Sequence, residues 1–342
     1  MRKVGSLRFA VIGTGFWSRF QLAAWRELEG VECVALYNRT RAKAEALARE
    51  FGVPRVYGDA EELLAKEKLD FVDIITDPGT HARFVHMAAE RRVPVICQKP
   101  MAPSLQEAER MVDECRRAGV PFFIHENWRW QTPIREFKRE LDTAGLGKPF
   151  RAHVQYLSTQ RVWDSQPFLK ELEQFIITDM GSHILDVARF LFGKAQTLYC
   201  HTNHVNDELK GEDNATVMMK MGAGATVLCE FGYASITERE RPFQTLIFAE
   251  CERGSVELGP DYRVATTTRE GTRARHCAPP HYPWAEPERD LVLSSIVPCN
   301  ANLLLGASGR GRAETTGQDN LKTVRLVFAA YESAASGRVI AL

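Results

Sequence analysis

Short apolar runs alternate with helical periodicities along the first part of the chain. Runs of four to seven mostly apolar residues predict buried strands, and the segments between them carry the apolar spacing of amphipathic helices. The strands are predicted at 7–12, 31–37, 71–76, 93–99 and 122–125, and the helices at 16–28, 41–51, 80–91 and 104–118. Strands that alternate with helices at this spacing indicate βαβ units and a parallel sheet. Right-handed crossovers then predict a doubly wound Rossmann domain of the α/β class.

The pattern changes after Trp130. Helices are predicted at 133–143 and 178–192, around a strand at 150–159, and Gly193 stands where a helix ends. Consecutive strands follow at 198–205, 215–221, 225–233, 243–251, 256–258 and 262–268. Strands without intervening helices indicate an α+β domain with a large, mainly antiparallel open sheet. A proline-rich stretch at 271–289 is predicted to be irregular, and 319–336 to be helical.

These patterns divide the chain into three parts. Residues 1–126 are predicted to form the first, α/β domain, and residues 127–318 a second, α+β domain. Residues 319–342 are predicted to pack back on the first domain as a C-terminal helix.

Composition narrows the class of protein. The 342 residues are 44% hydrophobic and 26% charged, and 44 basic residues balance 44 acidic ones. An ordinary globular composition without net charge gives no reason to expect nucleic acid or a membrane surface as a partner. No signal-peptide pattern opens the sequence, and we expect no apolar run long enough to span a bilayer.

The eight cysteines are scattered, without a C-x-x-C pair. In a chain of this length they favour free thiols in a reducing cytoplasm. His201 and His204 are the nearest metal candidates, but residues three apart in a strand point to opposite faces, so we expect no metal site.

A glycine turn follows the first strand directly and precedes the first helix. In such a turn Gly13 permits the tight bend, and Gly15 lets a pyrophosphate approach the helix N-terminus. Ser18 takes the third glycine's place. The candidate cofactor residues of this turn are Gly13, Thr14, Gly15, Phe16 and Trp17.

The end of the second strand bears on the choice of cofactor. NAD sites usually carry an acid there, bonded to the ribose 2′-hydroxyl. This chain has Asn38 instead, which removes the carboxylate that would repel a 2′-phosphate. Arg39, Thr40 and Arg41 follow, and their side chains could hold that phosphate by charge-assisted hydrogen bonds. The sequence therefore favours NADP, with NAD as the alternative. In the competing interpretation, these residues only cap the next helix and Arg39 covers the adenine.

Lys99 ends an apolar strand and precedes Pro100. Lysine rarely lies at such a place unless it is paired or functional, and Pro100 restricts it to extended or turn backbone. The carboxyl ends of strands in an open α/β sheet are where ligands bind. We therefore expect the Lys99 ammonium to face the nicotinamide.

Asp179, His183 and Asp186 share one face of the helix predicted at 178–192, at spacings of four and seven. An ordinary polar outer face would show the same pattern. Together with Lys99, however, the segment supplies a cation, a titratable imidazole and a carboxylate, which is an acid/base set.

At this point the chain resembles the glucose–fructose oxidoreductase / inositol dehydrogenase (Gfo/Idh/MocA) family over nearly its whole length. The resemblance rests on six motifs in order. These are the glycine turn, Thr76–His81, Gln98-Lys99-Pro100 in place of Glu-Lys-Pro, Asn127-Trp-Arg129, Asp179-x-x-x-His183, and the C-terminal Thr316-Gly-Gln-Asp-Asn-Leu with Tyr331-x-Ser333.

The resemblance implies roles for the motif residues. His183 would take the proton from a substrate hydroxyl, Lys99 would stabilise charge on the same oxygen, and Asp179 would orient substrate or base. Gln98 departs from the family's acid, and a neutral neighbour stabilises a lysine cation less than a carboxylate would.

The resemblance also suggests candidate residues beside the cofactor and beside the substrate. Thr76, His81 and Gln98 are candidates on the cofactor side, although for His81 we favour a cap on the following helix. Asn127 and Arg129 would line the nicotinamide side of the substrate pocket, or serve only as strand-end structure. Trp163 would offer a ring-stacking wall to a sugar, or belong to the core.

The implied function is an NAD(P)-dependent oxidoreductase acting on a secondary alcohol or ketone of a sugar, cyclitol or related polyol, as a homodimer or homotetramer. The resemblance implies that residues 1–126 bind the dinucleotide and that residues 127–318 bind the substrate and form the oligomer. Two alternatives stay open. One is a glycosidase that uses bound NAD for transient oxidation, and the other is a non-catalytic cofactor sensor.

Overall fold

The computed structural model describes residues 6–238 and 243–342. The strands are β1 (Leu7–Ile12), β2 (Val31–Tyr37), β3 (Arg55–Tyr57), β4 (Phe71–Ile74), β5 (Val95–Gln98), β6 (Phe122–His125), β7 (Pro149–Leu157), β8 (Ala195–Asn203), β9 (Asn214–Met221), β10 (Thr226–Gly232), β11 (Leu246–Cys251), β12 (Gly254–Leu258), β13 (Arg263–Thr268), β14 (Gly271–His276) and β15 (Ile340–Ala341). The α-helices are α1 (Phe16–Arg26), α2 (Arg41–Phe51), α3 (Ala60–Lys66), α4 (Pro78–Glu90), α5 (Leu105–Ala118), α6 (Thr132–Thr143), α7 (Val162–Ser165), α8 (Ser182–Phe192), α9 (Asp290–Ser294), α10 (Ile296–Ala307) and α11 (Gly317–Ser336).

The chain folds as two compact units. The first comprises the residues up to Asn127, with Tyr282–Ala285 and Ile296–Val324, and the second comprises Trp128–His281, Glu286–Ser295 and Arg325–Leu342. The last helix, α11, begins in the first unit and continues in the second. The three-part division drawn from the sequence stays a prediction.

The first unit is built on a parallel sheet of six strands in the order β3-β2-β1-β4-β5-β6. Strands β4, β5 and β6 are buried along their whole length, as strands covered on both faces must be. Helix α10 packs against this sheet so closely that a Cβ on Gly306 would lie 2.8 Å from the Phe123 ring. This order confirms the predicted doubly wound Rossmann sheet.

The second unit holds a nine-stranded sheet in the order β14-β13-β12-β11-β7-β10-β9-β8-β15. Only β7 and β10 run parallel; the other pairs are antiparallel. Burial alternates along β9, where Val217 and Met219 are buried and Met218 and Lys220 are exposed. One face of the sheet is therefore core and the other is open, as the sequence predicted.

Several elements escaped the sequence prediction. Strand β3 has three half-buried residues, and the exposed edge strand β14 lies in the stretch 271–289 that was predicted to be irregular. Neither shows the apolar alternation of a half-buried strand. The sequence prediction also missed the short helices α3, α7 and α9, the helix α10 and the two-residue strand β15. Helix α10 is largely apolar around its circumference and so lacks a helical period.

The helical stretch 287–307 is long and apolar enough to cross a membrane by those two criteria alone, which corrects the expectation that no run reaches such length. Half of its most apolar window is buried inside the protein, as in the core helix of a globular protein. Such a stretch is weak evidence for a membrane span.

Candidate active site

The glycine turn lies where the sheet order reverses. It follows β1, whose two neighbours are β2 and β4, and ligands bind outside the carboxyl ends of strands at such a point. Gly13 has φ +105°, and a Cβ there would lie 2.2 Å from the Ile75 carbonyl oxygen. Only glycine fits this position.

The residues of the turn fit a dinucleotide. Gly15 is the N-cap of α1 and brings no side-chain acceptor to the helix N-terminus, and a Cβ on it would meet nothing within 4 Å. Within residues 6–238 and 243–342, the buried Thr14 Oγ1 and Trp17 Nε1 have no hydrogen-bond partner. Buried polar groups are normally paired, so these donors beside a helix N-terminus suit the oxygens of a pyrophosphate.

At the end of β2, Asn38 Oδ1 accepts a hydrogen bond from the Thr40 N–H at 2.8 Å. Arg41 is paired with Glu45 at 2.9 Å. This bond closes a turn before α2, whose N-cap is Thr40 and which no side chain caps, so the capping interpretation does not hold for Asn38. Arg39 is exposed and makes no hydrogen bond or ion pair to any described residue, so its guanidinium is available to a ligand.

His81 does not cap α4, which corrects the favoured sequence interpretation. Its buried ring lies between two backbone carbonyls, with Nδ1 3.1 Å from Met101 O and Nε2 3.0 Å from Thr76 O. Burial lowers the pKa of His81, and the two carbonyls oppose that shift. The imidazole thus ties the turn after β4 to the loop after β5.

Lys99 follows β5 directly, and the Lys99–Pro100 peptide bond is cis. Its side chain is half-buried, and its backbone N–H donates to Gln98 Oε1 at 3.1 Å. Gln98 is itself buried. The lysine therefore stands at the carboxyl end of a central strand, as predicted, with its backbone held by the neighbouring side chain.

In the second unit, the segment before α8 is not α-helical. Ile177–Gly181 forms a π-helical turn, and the α-helix begins at Ser182. The spacing that placed Asp179 and His183 on one ideal α-helical face therefore does not apply. Such π turns are frequent at functional sites. Asp179 Oδ2 instead accepts a hydrogen bond from the Tyr233 hydroxyl at 3.0 Å.

Tyr233 is the site residue that the sequence pattern could not single out. It lies just after β10, 54 positions from Asp179. Burial raises the pKa of Tyr233 well above its usual value, and the Asp179 carboxylate adds to the shift. The Tyr233 hydroxyl therefore stays protonated and donates a hydrogen bond to one oxygen of Asp179.

His183 is 4% exposed and stacks on Trp128, with ring centroids 4.5 Å apart and 23° between the planes. Trp128 is anchored in turn, because its Nε1 donates to Thr245 Oγ1 at 2.9 Å. Tyr156 contacts both Trp128 and Tyr233, each at 6.0 Å between centroids. These aromatic rings connect the surroundings of His183 with those of Asp179.

Trp163 belongs to the same aromatic cluster. It is 1% exposed and packs edge-on against Tyr233 and Phe175. Within the part of the chain that the structure describes, its Nε1 has no hydrogen-bond partner. Trp163 therefore packs as a core residue. Its buried indole N–H lies close to Tyr233, whose hydroxyl donates to Asp179.

Arg129 is not a free ligand-binding group. Its Nε and Nη2 donate to the two oxygens of Asp186 at 2.7 and 2.6 Å, and both side chains are buried. The pair joins the turn after β6 to α8, which favours the structural alternative for Arg129. Asn127 is buried at the end of the first unit.

The C-terminal motif supports the start of the Asp179 segment. The Tyr331 hydroxyl accepts from the Thr178 N–H at 3.1 Å and donates to Glu212 Oε1 at 2.8 Å. That same Glu212 oxygen accepts from the Phe175 and Ile177 N–H groups. Helix α11 thereby fixes the backbone that carries Asp179.

Comparisons with known proteins agree with this geometry. Residues 7–126 match the model of an oxidoreductase family with an NAD-binding Rossmann fold, and residues 134–257 match the GFO/IDH/MocA C-terminal domain. The chain is 41% identical to a D-apiose dehydrogenase of Paraburkholderia graminis, over 97% of this chain and 89% of that protein. It is 39% identical to a D-apiose dehydrogenase of Rhizobium rhizogenes, over 98% and 97%.

A crystal structure of an Agrobacterium radiobacter oxidoreductase in complex with NAD+, L-tartaric acid and magnesium superposes with a TM-score of 0.96. That protein is 39% identical and each chain is covered over 98% of its length. With both halves matched, and with these relatives, the chain belongs to the GFO/IDH/MocA family of NAD(P)-dependent oxidoreductases that act on CH–OH groups.

Proposed function

We propose that this enzyme oxidises a small sugar, with D-apiose as the first candidate, by removing hydride from an alcohol carbon. Two contacts in the second unit carry the proposal. His183 is buried and stacked on Trp128, and Asp179 accepts a hydrogen bond from Tyr233. Two relatives of about this length named D-apiose dehydrogenase support the choice of sugar.

The proposed chemistry assigns one task to each side chain. His183 accepts the proton of the reacting hydroxyl, and stacking on Trp128 fixes the plane in which its ring nitrogens approach. Lys99 donates a hydrogen bond to the same oxygen and stabilises its developing charge. Asp179 holds the substrate or the base. When bound, the nicotinamide supplies the acceptor or donor of hydride.

A panel of sugars and cyclitols tests the proposal. D-Apiose, D-xylose, myo-inositol and scyllo-inositol are each offered with NAD and with NADP, and nicotinamide absorbance is followed. We expect turnover to be highest with D-apiose. Turnover highest with a cyclitol would overturn the choice of sugar. Hydrolysis of a glycoside without net change in nicotinamide absorbance would favour the glycosidase alternative instead.

For the cofactor we propose a preference for NADP. It rests on the absence of an acid at Asn38 and on the exposed, unengaged Arg39 guanidinium. We expect Asn38→Asp to lower kcat/KM for NADP on the order of tenfold or more while that for NAD holds or rises, because a carboxylate repels a 2′-phosphate. Steady-state kinetics with both cofactors measures this.

Two results bear on that cofactor prediction. Arg49→Gln, which changes an exposed arginine in the last turn of α2, serves as the matched control and should leave the ratio nearly unchanged. A wild-type enzyme that uses NAD and ignores NADP would refute the preference.

We also propose that the enzyme is a homodimer or homotetramer that associates through the open face of the nine-stranded sheet. Strand register places a row of five side chains across this face, namely Met218, Leu228, His153, Phe248 and Glu257. Met218 is 47% and Phe248 38% exposed, and they lie in this one row with Leu228 and His153 between them. Apolar side chains grouped on one exposed face are typical of an interface. Light scattering should therefore show a mass at least twice that of one chain, and Phe248→Glu should lower it. A monomer would contradict the proposal.

A further inference from the structure

Asp73 is a carboxylate buried in the middle of the Rossmann sheet. It lies in β4, is fully buried, and accepts hydrogen bonds from two side chains of α1. Trp25 Nε1 donates at 2.7 Å, and Gln21 Nε2 lies 2.8 Å from each carboxylate oxygen. An indole N–H can only donate, and an ionised carboxylate can only accept. Gln21 must therefore turn its amide nitrogen toward Asp73.

This orientation is passed on to Gln98. With its nitrogen toward Asp73, Gln21 offers its carbonyl oxygen, which accepts from Gln98 Nε2 at 2.6 Å. Gln98 then has its own carbonyl oxygen left, and this oxygen accepts from the Lys99 backbone N–H at 3.1 Å. The acceptor at Asp73 thus determines, through two amides, which atom Gln98 presents to Lys99.

His125 and Asn300 extend this chain of hydrogen bonds beyond Gln98. Gln98 Nε2 lies 3.3 Å from His125 Nδ1, and His125 Nε2 lies 3.0 Å from Asn300 Oδ1. These contacts match the tautomer that accepts at Nδ1 and donates from Nε2. All three side chains are buried, so water does not readily replace a lost partner.

A glutamate at position 98 conflicts with this polarity. Its carboxylate oxygen would replace the Gln98 nitrogen and face the Gln21 carbonyl oxygen, acceptor against acceptor. Rotating the Gln21 amide would relieve that contact but turn its carbonyl oxygen onto Asp73. The Gln21 amide can therefore satisfy a carboxylate at position 73 or a carboxylate at position 98, but not both.

We infer that Asp73 is a positioning residue for Lys99: it carries the single negative charge of this buried chain and, through Gln21, sets the orientation in which Gln98 holds the Lys99 backbone. The inference rests on the proposed role of Lys99 in the reaction. It also explains how glutamine is accommodated at position 98.

The carboxylate form of Asp73 predominates only above neutral pH, so the charge that this assignment requires is tested at pH 8. Burial raises the pKa of Asp73 to about 7, and the hydrogen bonds from Trp25 and Gln21 oppose the rise. Desolvating one carboxylate is compensated here by three N–H contacts. A second carboxylate a few ångströms away would find no comparable set of donors.

A double-mutant cycle that moves the carboxylate from position 73 to position 98 tests the inference. It compares the full-length wild-type enzyme with Asp73→Asn, Gln98→Glu and the double variant. In the double variant, the amide introduced at position 73 donates to a rotated Gln21, whose nitrogen then donates to the carboxylate introduced at position 98. We expect each single variant to lower kcat about tenfold and to raise the equilibrium constant for unfolding about tenfold. The double variant should recover to within about threefold of wild type in both.

The readouts separate positioning from structure alone. Urea unfolding and the binding of NADPH, followed by fluorescence, need no sugar substrate, so they test the buried hydrogen-bond chain even if no sugar is turned over. In the single variants kcat should fall more than KM rises, because Lys99 is displaced from the reacting oxygen while the glycine turn is intact. Coupling seen in unfolding without any change in kcat would overturn the positioning role.

Asp213→Asn with Gln98→Glu is the matched control, because Asp213 is another fully buried carboxylate that accepts several hydrogen bonds. This pair should show no recovery. If Gln98→Glu fails to fold while the double variant with Asp73→Asn folds, the inference is supported. Single effects that simply multiply in the double variant, or a double variant that also fails to fold, would overturn it.

Discussion

His183→Asn lowers kcat on the order of 10²- to 10⁴-fold, because the variant loses the group that takes the proton from the substrate hydroxyl. KM for the sugar should change far less, since the asparagine keeps a polar group of similar reach. Stability should change little as well, because Trp128 keeps its own bond to Thr245. Steady-state kinetics with a sugar that the wild-type enzyme turns over measures the effect.

His201→Asn is the control for that result, since His201 is an exposed residue of β8. It should retain wild-type kcat. Lys99→Met tests the partner group and should lower kcat by roughly 10²- to 10³-fold, the effect of removing one donor to a developing charge. A His183→Asn enzyme with undiminished kcat would remove His183 from the mechanism and leave Lys99 as the remaining candidate.

Arg129→Met lowers the free energy of unfolding by about 3 kcal/mol, at the lower end of the cost of breaking a buried ion pair. The change leaves the Asp186 carboxylate buried without its two charged hydrogen bonds. Arg189 lies 3.6 Å from the same carboxylate and moderates the loss. Urea unfolding at neutral pH measures the difference.

Two further variants identify the cause of that loss. Arg129→Met with Asp186→Leu should be more stable than Arg129→Met alone, because it removes the uncompensated charge. Arg151→Met removes an exposed ion pair with Glu250 and should leave the free energy of unfolding nearly unchanged. If Arg129→Met kept full stability and instead raised KM for the sugar, Arg129 would be a substrate ligand after all.

Much of the first unit could be predicted because its signals are local. A glycine turn between strand and helix, and apolar runs of strand length, reflect backbone sterics and burial within a few residues. The position of Lys99 at a strand end followed from the same reasoning. The cap assigned to His81 was wrong because a histidine in the first turn of a helix has several acceptors in reach, and only the fold brings Met101 to it.

The second unit shows where local reasoning ends. The spacing of Asp179 and His183 was read as one α-helical face, but close packing against β10 accompanies a π turn at Ile177–Gly181. The sequence left open whether Arg129 lines the substrate pocket or serves as strand-end structure, because its motif gives no hint of Asp186, which lies 57 positions away. Tyr233 carried no signal, since one tyrosine after a strand is ordinary.

By itself, the sequence determined the class of each domain, the cofactor turn, and the three residue types of an acid/base set. These follow from periodicity, glycine sterics and the rarity of charge in apolar segments. Only the tertiary structure decided which polar side chains pair: Tyr233 with Asp179, Arg129 with Asp186, and Gln98 with Gln21 and Lys99. The physical reason is that a buried polar group must find a partner wherever the fold brings one, and distance along the chain does not limit that choice.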